Sequence, residues 1–500
     1  MAEGRQPAGS LVPFAAAIAL GLMVALLPLS LAAGVIAAAA GLLLVLRYPW
    51  LAVALMLLAG PWGALENVLL GSAFLDSGQL SFLLLGALWL ARGVLQRRRY
   101  RTGAGRGIVI PHTPLNLPLF LFIALATFTL LAAPSVSTGL KEVLKWVEIM
   151  VVMWIVVDLA TAGETVHLRP AVAVVLLAGL SQGLIGIWQF GLRAGGPEHF
   201  LIPNLLSFGE FYRAYGTFEQ PNPFGGFVSW QALLGAGLLL GWVMAWWAQR
   251  HTGRMFWKRL SPGWLLFAAI ATVTTGLAML MSWSRGAWLG FAAGAGALLF
   301  FWPRRRRTGA LLLLAALLLF LVIWQAGLVP APVAARLGSF TGDLRLGDVR
   351  GVDINDANYS VLERLAHWQA ALSMARANLW LGVGFGNYEP AYGEFALINW
   401  PYPLGHAHNY YLNLLAEIGL LGLAAYLFLW ATIFWQTLQV SGRLAWPARG
   451  LALGLLAVWT ALAVHHLLDK LYVNNLYLHL GAMLGILQLL DRRSLTEGSK

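Results

Sequence analysis

The chain has 500 residues, of which 59% are hydrophobic and only 11% charged, and it carries a net charge of +12. Soluble domains average about 25% charged residues, so the composition is that of a polytopic membrane protein. The chain has no cysteine, which excludes disulfides, thiolate metal sites and a cysteine nucleophile. Its positive charge sits in short loops between apolar runs, not on a contiguous basic face, which excludes nucleic acid as the partner and leaves membrane lipids.

Apolar runs of about 17–25 residues can cross a bilayer. The first, 11–29, follows a short basic head and leads straight into further spans. It therefore reads as a membrane helix, not a cleaved signal. Spans follow at 31–46, 50–70, 78–95, 116–132, 143–161, 168–190, 224–247, 264–282, 286–302 and 309–328. After a long polar segment come 412–435, 450–468 and 475–490. The expected fold is an all-α polytopic membrane protein of about 12–14 transmembrane helices. It has three parts: an N-terminal bundle of about 11 helices over 1–328, a large loop over 329–408, and C-terminal helices over 409–500. The 23 tryptophans suit rings anchored at lipid headgroups.

Basic clusters at Arg97-Arg98-Arg99 with Arg101 and Arg106, at Arg250 to Arg259, at Arg304 to Arg307, at Arg443 with Arg449, and at Arg492-Arg493 all fall on one side of these spans. The positive-inside rule makes that side cytoplasmic and puts both termini there. The opposite, external face receives 191–223, the tight turn Ser282-Trp283-Ser284-Arg285-Gly286, and the 329–408 loop. Within that loop Val361, Leu362, Leu365, Trp368, Leu372 and Ala375 recur at helical spacing, with Glu363, Arg364, His367 and Arg376 among them. This predicts an amphipathic interface helix over 358–377. Gly382-Val383-Gly384-Phe385-Gly386-Asn387 then reads as a flexible bend; it follows no strand and is a weak nucleotide loop.

Chemistry is expected where the loop returns to the membrane. His406-Ala407-His408-Asn409 ends the polar segment, and imidazole suits proton transfer near neutral pH. Arg285 stands alone in an apolar region, where a guanidinium needs an interior partner or an aqueous cavity and suits phosphate oxygens. Arg213 lies in a segment stiffened by Pro221 and Pro223, with Asn222 offering an amide and Glu219 a carboxylate. Each has a plain structural reading as well: snorkelling for Arg285, solvation for Arg213 and Glu219, and helix-end structure for the histidines. His406 and His408 are equally placed for the role of base. No carboxylate-rich constellation in the sequence completes a metal site around them, so no metal is expected. Lys141 and Lys145 add positive potential or merely flank a span, and His465, His466 and Asp469 read as supports. Gly290 and Gly294 form a small-xxx-small helix-packing pair.

These segments resemble the O-antigen ligase/polymerase superfamily of membrane glycosyltransferases. The resemblance is carried by Arg213-x-x-Gly216 leading into Pro221-Asn222, by Ser284-Arg285-Gly286, by Arg364 with Trp368, and by Gly382-Val383-Gly384-Phe385-Gly386-Asn387. It continues through His408-Asn409-x-Tyr411-Leu412 to Ala416-Glu417-x-Gly419-Leu420-x-Gly422, covering about residues 200 to 430. The span count departs from the 12-span ligases by two. The resemblance implies a GT-C-like, metal-independent, inverting enzyme of the bacterial inner membrane, with no cofactor and its site on the periplasmic face. The donor would be a glycan on undecaprenyl diphosphate and the acceptor lipid A-core or a growing polysaccharide. Arg213, Arg285, His408 and His406 would be catalytic. Arg213, Arg285, Asn222, Glu219, Arg364, Asn409 and Lys145 would bind substrate. A repeat-unit polymerase and a protein O-oligosaccharyltransferase are the alternatives within the superfamily. Outside it stand a lipid-linked glycan transporter and a non-catalytic scaffold. The nearly uncharged span interiors and one-sided polar residues disfavour transport.

Overall fold

The computed structural model describes residues 28–70, 75–99, 110–162, 165–191, 207–208, 211–250, 261–338, 348–355 and 358–498. The expected span at 11–29, except its last two residues, and the basic stretches 100–106 and 251–259 lie outside them. Two compact units divide the chain at Val53. In the first, helix α1 (Leu29–Arg47) has almost entirely exposed, apolar side chains, as suits a helix facing lipid.

The expected span 50–70, within which the division falls, is broken. α2 (Trp50–Ala59) ends in a 3₁₀ turn, Gly60–Trp62, before α3 (Gly63–Leu70). Pro61 sits in that turn and cannot donate a backbone hydrogen bond. There follow α4 (Ser77–Arg99), α5 (Asn116–Phe128, extended by a 3₁₀ turn to Ala132), α6 (Val136–Ala160), α7 (Leu168–Gly191), α8 (Pro221–Gln249), α9 (Pro262–Met281), α10 (Arg285–Phe301) and α11 (Arg306–Gln325). The long loop holds α12 (Ala331–Gly338), α13 (Tyr359–Ala377) and α14 (Tyr388–Phe395). The chain closes with α15 (Tyr410–Arg443), α16 (Ala448–His465) and α17 (Leu476–Gly498). Strand structure among the described residues is limited to two antiparallel pairs of two residues each.

Eight described helices are long and apolar enough to cross a membrane: α1, α4, α7, α8, α9, α11, α15 and α16. Two more, α5 with its extension and α10, are shorter apolar helices. The expected spans 143–161 and 475–490 lie in α6 and α17, which pack on each other and carry charged residues such as Glu142, Lys145 and Asp491.

Small residues bring the central helices together. Gly237 and Gly241 of α8 meet Gly450 and Gly454 of α16 backbone to backbone. Gly290 and Gly294 of α10 lie under the carbonyls of Ala461 and Ala457, where an added Cβ would come within 2.7 and 2.6 Å. The expected packing role of that glycine pair is what the structure has.

The predicted helix over 358–377 forms as α13, and its apolar positions are buried. The glycine-rich turn differs from expectation. Residues 382–388 are all buried, so this is not a flexible bend. α15 breaks at Gly419 (φ 61°, ψ −165°), and the turn fills the break. Val383 and Gly384 donate to the carbonyls of Ala416 and Glu417 at 2.9 and 2.8 Å, and Leu420 donates to Leu379 at 2.9 Å. Backbone groups freed inside an apolar helix must find partners, and the loop supplies them. Gly382, Gly384 and Gly386 all have positive φ, which glycine adopts without a Cβ penalty.

Candidate active site at the loop–membrane boundary

The turn between α9 and α10 organises one half of the site. α9 ends at Met281 and α10 begins at Arg285, with Ser284 as its N-cap accepting from the Ala287 N–H. The last carbonyls of a helix lack intrahelical partners, and here arginines supply them. Arg213 donates through Nε to Ser282 O at 3.0 Å, and Arg336 of α12 donates to Trp283 O at 3.3 Å. Arg285 follows as the first residue of α10, at the positive end of the helix dipole.

Arg364 of α13 completes a group of four cations. Burial pushes Arg213 down to about 9, and Arg336, Arg285 and Arg364 push it in the same direction. Arg336 is lowered to about 10 by burial, then by Arg285 and Arg364. The charges acting on Arg213 and Arg336 are thus all of like sign. Such a cluster is stabilised by an anion, and guanidinium forks match phosphate oxygens.

The other half is a chain of polar contacts linking segments far apart in sequence. Arg213 donates to Asn222 Oδ1 at 3.3 Å, and Asn222 donates through Nδ2 to Asp469 Oδ2 at 3.0 Å. Asp469 Oδ1 lies 3.4 Å from His406 Nε2 and accepts the Lys470 N–H at 2.8 Å. His406 Nδ1 accepts the backbone N–H of His408 at 3.0 Å. That bond leaves the His406 proton on Nε2, facing the Asp469 carboxylate. Both ring nitrogens of His406 are thereby engaged.

His408 differs. Its ring stands 4.4 Å from that of His406 and 5.8 Å from that of His367. Neither of its ring nitrogens has a hydrogen-bond partner, although both are buried. Its backbone is left-handed (φ 52°), a strained state for a histidine. Burial holds both rings neutral, pushing His406 down to about 4 and His408 to about 3; His406 also lowers His408. Asp469 is held below the usual carboxylate range by His406, His408 and His465 despite its burial. His367 is lowered to about 4 by burial and by His408, and its Nδ1 meets the Tyr388 hydroxyl at 2.9 Å.

The structure therefore brings together Arg213, Arg285, Arg364, Asn222, His406 and His408. Three other expected ligands have different surroundings. Asn409 is the N-cap of α15, its side chain accepting from Tyr411 N and Leu412 N at 3.0 and 3.1 Å. Lys145 is in a half-buried ion pair with Glu142 at 2.5 Å, and the other Glu142 oxygen meets Lys470 at 3.2 Å. Glu219 forms no ion pair with an arginine among the described residues, and its Oε1 is buried without a hydrogen-bond partner. Burial raises its carboxyl. Arg213 finds an amide, Asn222, instead.

Sequence reasoning missed two members. Arg336 sits in an eight-residue helix with no motif around it. Asp469 was read as a support, yet it contacts His406 directly. His406, His408 and Asp469 offer ligand atoms within 4.8 Å of one another, a grouping of possible cation donors that joins segments far apart in the sequence.

Comparison with known proteins bears on this site. No curated protein matches the chain. Residues 270–427 match the family model described as O-antigen ligase, a region that holds Arg285, Arg336, Arg364, His406 and His408 but not Arg213, Asn222 or Asp469. Over that region, about a third of its length, the chain is similar to the O-antigen ligase family.

Proposed function

We propose that the protein transfers a glycan from a polyprenyl-diphosphate carrier to an acceptor hydroxyl at the external face of the membrane. The observation that carries this reading is the pairing of four like-charged arginines with an imidazole, His408, whose two nitrogens are unengaged. A diphosphate offers oxygens that match the guanidinium forks, and the imidazole supplies a base.

In this reading the lipid tail stays in the bilayer and the diphosphate meets Arg213, Arg285, Arg336 and Arg364. The acceptor hydroxyl gives its proton to a ring nitrogen of His408 as its oxygen bonds to the anomeric carbon. The bond from that carbon to the phosphate oxygen breaks, and its electron pair leaves with the diphosphate. The arginines stabilise the charge gathering there. A single displacement inverts the anomeric centre. Burial is the main cause that depresses His408, followed by His406 and Arg364; a bound diphosphate raises its basicity by offsetting Arg364. His406 acts through its neighbours: its Nδ1 fixes the His408 backbone, and Asp469 fixes its tautomer.

This acid–base role leaves the imidazole–carboxylate group without a metal. The test uses purified protein in nanodiscs with a synthetic polyprenyl-diphosphate-linked oligosaccharide and EDTA, following release of polyprenyl diphosphate. Lipid A-core supplied as acceptor tests the ligase form of the reading, and further donor alone tests the polymerase form. Release in EDTA that requires Arg213, Arg285 and His408 supports the proposal. Release abolished by EDTA and restored by a divalent cation would replace the acid–base role with a metal site. No release on either acceptor, with donor still bound, would favour a carrier.

A further inference from the structure

A second site lies on the far side of α13 from the arginines. A cavity of about 700 Å³ opens between α13, the segment 348–351 and the segment 395–400. Its size falls in the range of about 300–1,000 Å³ usual for small-molecule sites. Gln369, Leu372, Ser373 and Arg376 line it, at the three- and four-residue spacing of one helix face. Arg364 and His367, which face the candidate active site, fall on the opposing side at 3.6 residues per turn. One helix, about 10 Å across, thus separates the two.

The cavity is a built structure. Trp400 at its base is buried against Val349, Val361, Leu362, Leu365 and Ala366. The Trp400 N–H donates to Leu397 O at 2.8 Å, and the Trp400 carbonyl accepts the Tyr392 hydroxyl at 2.8 Å. On the opposite wall Arg350 is braced by Asp348 at 2.6 Å. Into this frame project both kinds of group that a sugar needs. Gln369, Ser373, Arg376 and Asn399 can hydrogen-bond hydroxyls, while Leu372, Phe395 and Ile398 offer apolar surface to C–H faces. Ile398 is 97% exposed at the rim.

We propose that this cavity is a distal carbohydrate subsite. It holds sugar units of a glycan whose reacting end lies at His408 on the other side of α13. The proposal deepens the transferase reading and rests on it for its role in turnover. It does not rest on it for binding. The glycan comes from the acceptor or from the donor, and the two sources separate by experiment.

Gln369→Ala, at a half-buried side chain, and Arg376→Ala and Asn399→Ala, at exposed ones, alter the cavity and leave the four arginines and His408 in place. Two water-soluble probes are used with full-length protein in nanodiscs: a core oligosaccharide freed of lipid, and the oligosaccharide of the donor freed of its carrier. Saturation-transfer NMR reads binding without turnover. Signal from at least one probe, lost in the cavity variants but kept in Arg285→Ala and His408→Ala, is the expected result. In turnover, the same variants raise KM about tenfold for a long glycan at fixed kcat. They change KM less than about twofold for one cut to a single sugar. If the length effect follows the acceptor, the cavity holds the acceptor; if it follows the donor, it holds the donor. No transfer signal from either probe, or equal signals in wild type and cavity variants, overturns the proposal even if turnover is normal. Signal at the cavity in a protein that releases no polyprenyl diphosphate would sink the transferase reading and leave this site standing.

Discussion

Arginines cluster at both ends of this helical bundle, and the two clusters are built differently. At one end Arg449 donates to the carbonyls of Ser441 and Phe301, both at 3.0 Å, and Arg304 donates to Gly442 at 3.1 Å. Arg443 lies 3.7 Å from Asp491. These cations finish helix ends and carry the positive-inside signal. At the other end Arg213 and Arg336 also cap carbonyls, but Arg285 and Arg364 join them to make a group whose charges repel. Asp469, a carboxylate of the site, is committed to Asn222, Lys470 and His406. One end uses its charge to complete the fold; in the proposed reading the other presents its charge to a ligand.

The contrast breaks most sharply at the imidazole. His408→Ala should lower turnover about 10²–10⁴-fold, the range for loss of a general base. His406→Ala should cost less, because that ring acts through the backbone of its neighbour. Equal losses, or a larger loss for His406, would reverse the assignment. Arg285→Ala and Arg213→Ala should each lower turnover about 10²–10³-fold. Arg304→Ala at the opposite end should stay within about twofold of wild type under the same polyprenyl diphosphate release assay. Similar losses at both ends would erase the distinction.

The relay gives a smaller effect. Asp469→Asn keeps the shape but removes the charge facing His406 Nε2, and kcat should fall about tenfold with donor KM little changed. A change confined to KM would make Asp469 a binding group. The helix break offers a stability test. A Cβ at Gly419 would meet the Trp380 backbone and sit at φ 61°, so Gly419→Ala should destabilise by about 2 kcal/mol or more. Thermal unfolding in nanodiscs checks this, and an unchanged midpoint would mean the turn is not held by the break.

A further effect is with pH. His367, His406 and His408 are held at about 4, 4 and 3, below the ordinary histidine value of about 6.5. Below 6.5 the unfolded chain binds protons that the folded chain refuses. Their contribution to stability is therefore full above about 6.5 and is lost as pH falls through 4 towards 3. The unfolding midpoint should drop between pH 7 and pH 5, and less so in His408→Ala. A midpoint that rises on acidification would contradict the buried neutral rings.

How much of this the sequence shows depends on how local the signal is. Arg285 is legible because a lone guanidinium beside apolar sequence stands out, and α13 because its apolar spacing is helical. Asn409 was legible too: an asparagine just before an apolar run is an N-cap signature, yet its place beside His408 drew it into the site. Asp469 and Arg336 were not legible as site members, because their contacts span long sequence separations that no periodicity encodes. The choice between His406 and His408 rests on one backbone hydrogen bond, which a spacing of two residues cannot reveal. The glycine turn misled for the same reason: its rigidity comes from α15, which follows it by some thirty residues.

The most direct test measures donor binding and turnover side by side in His408→Ala, with polyprenyl diphosphate release as the chemical readout. Donor Kd within about twofold of wild type with turnover down at least about 100-fold is the predicted result, since the arginines remain and only the base is gone. Turnover near the wild-type rate would contradict the account, and the unengaged imidazole would then be structural.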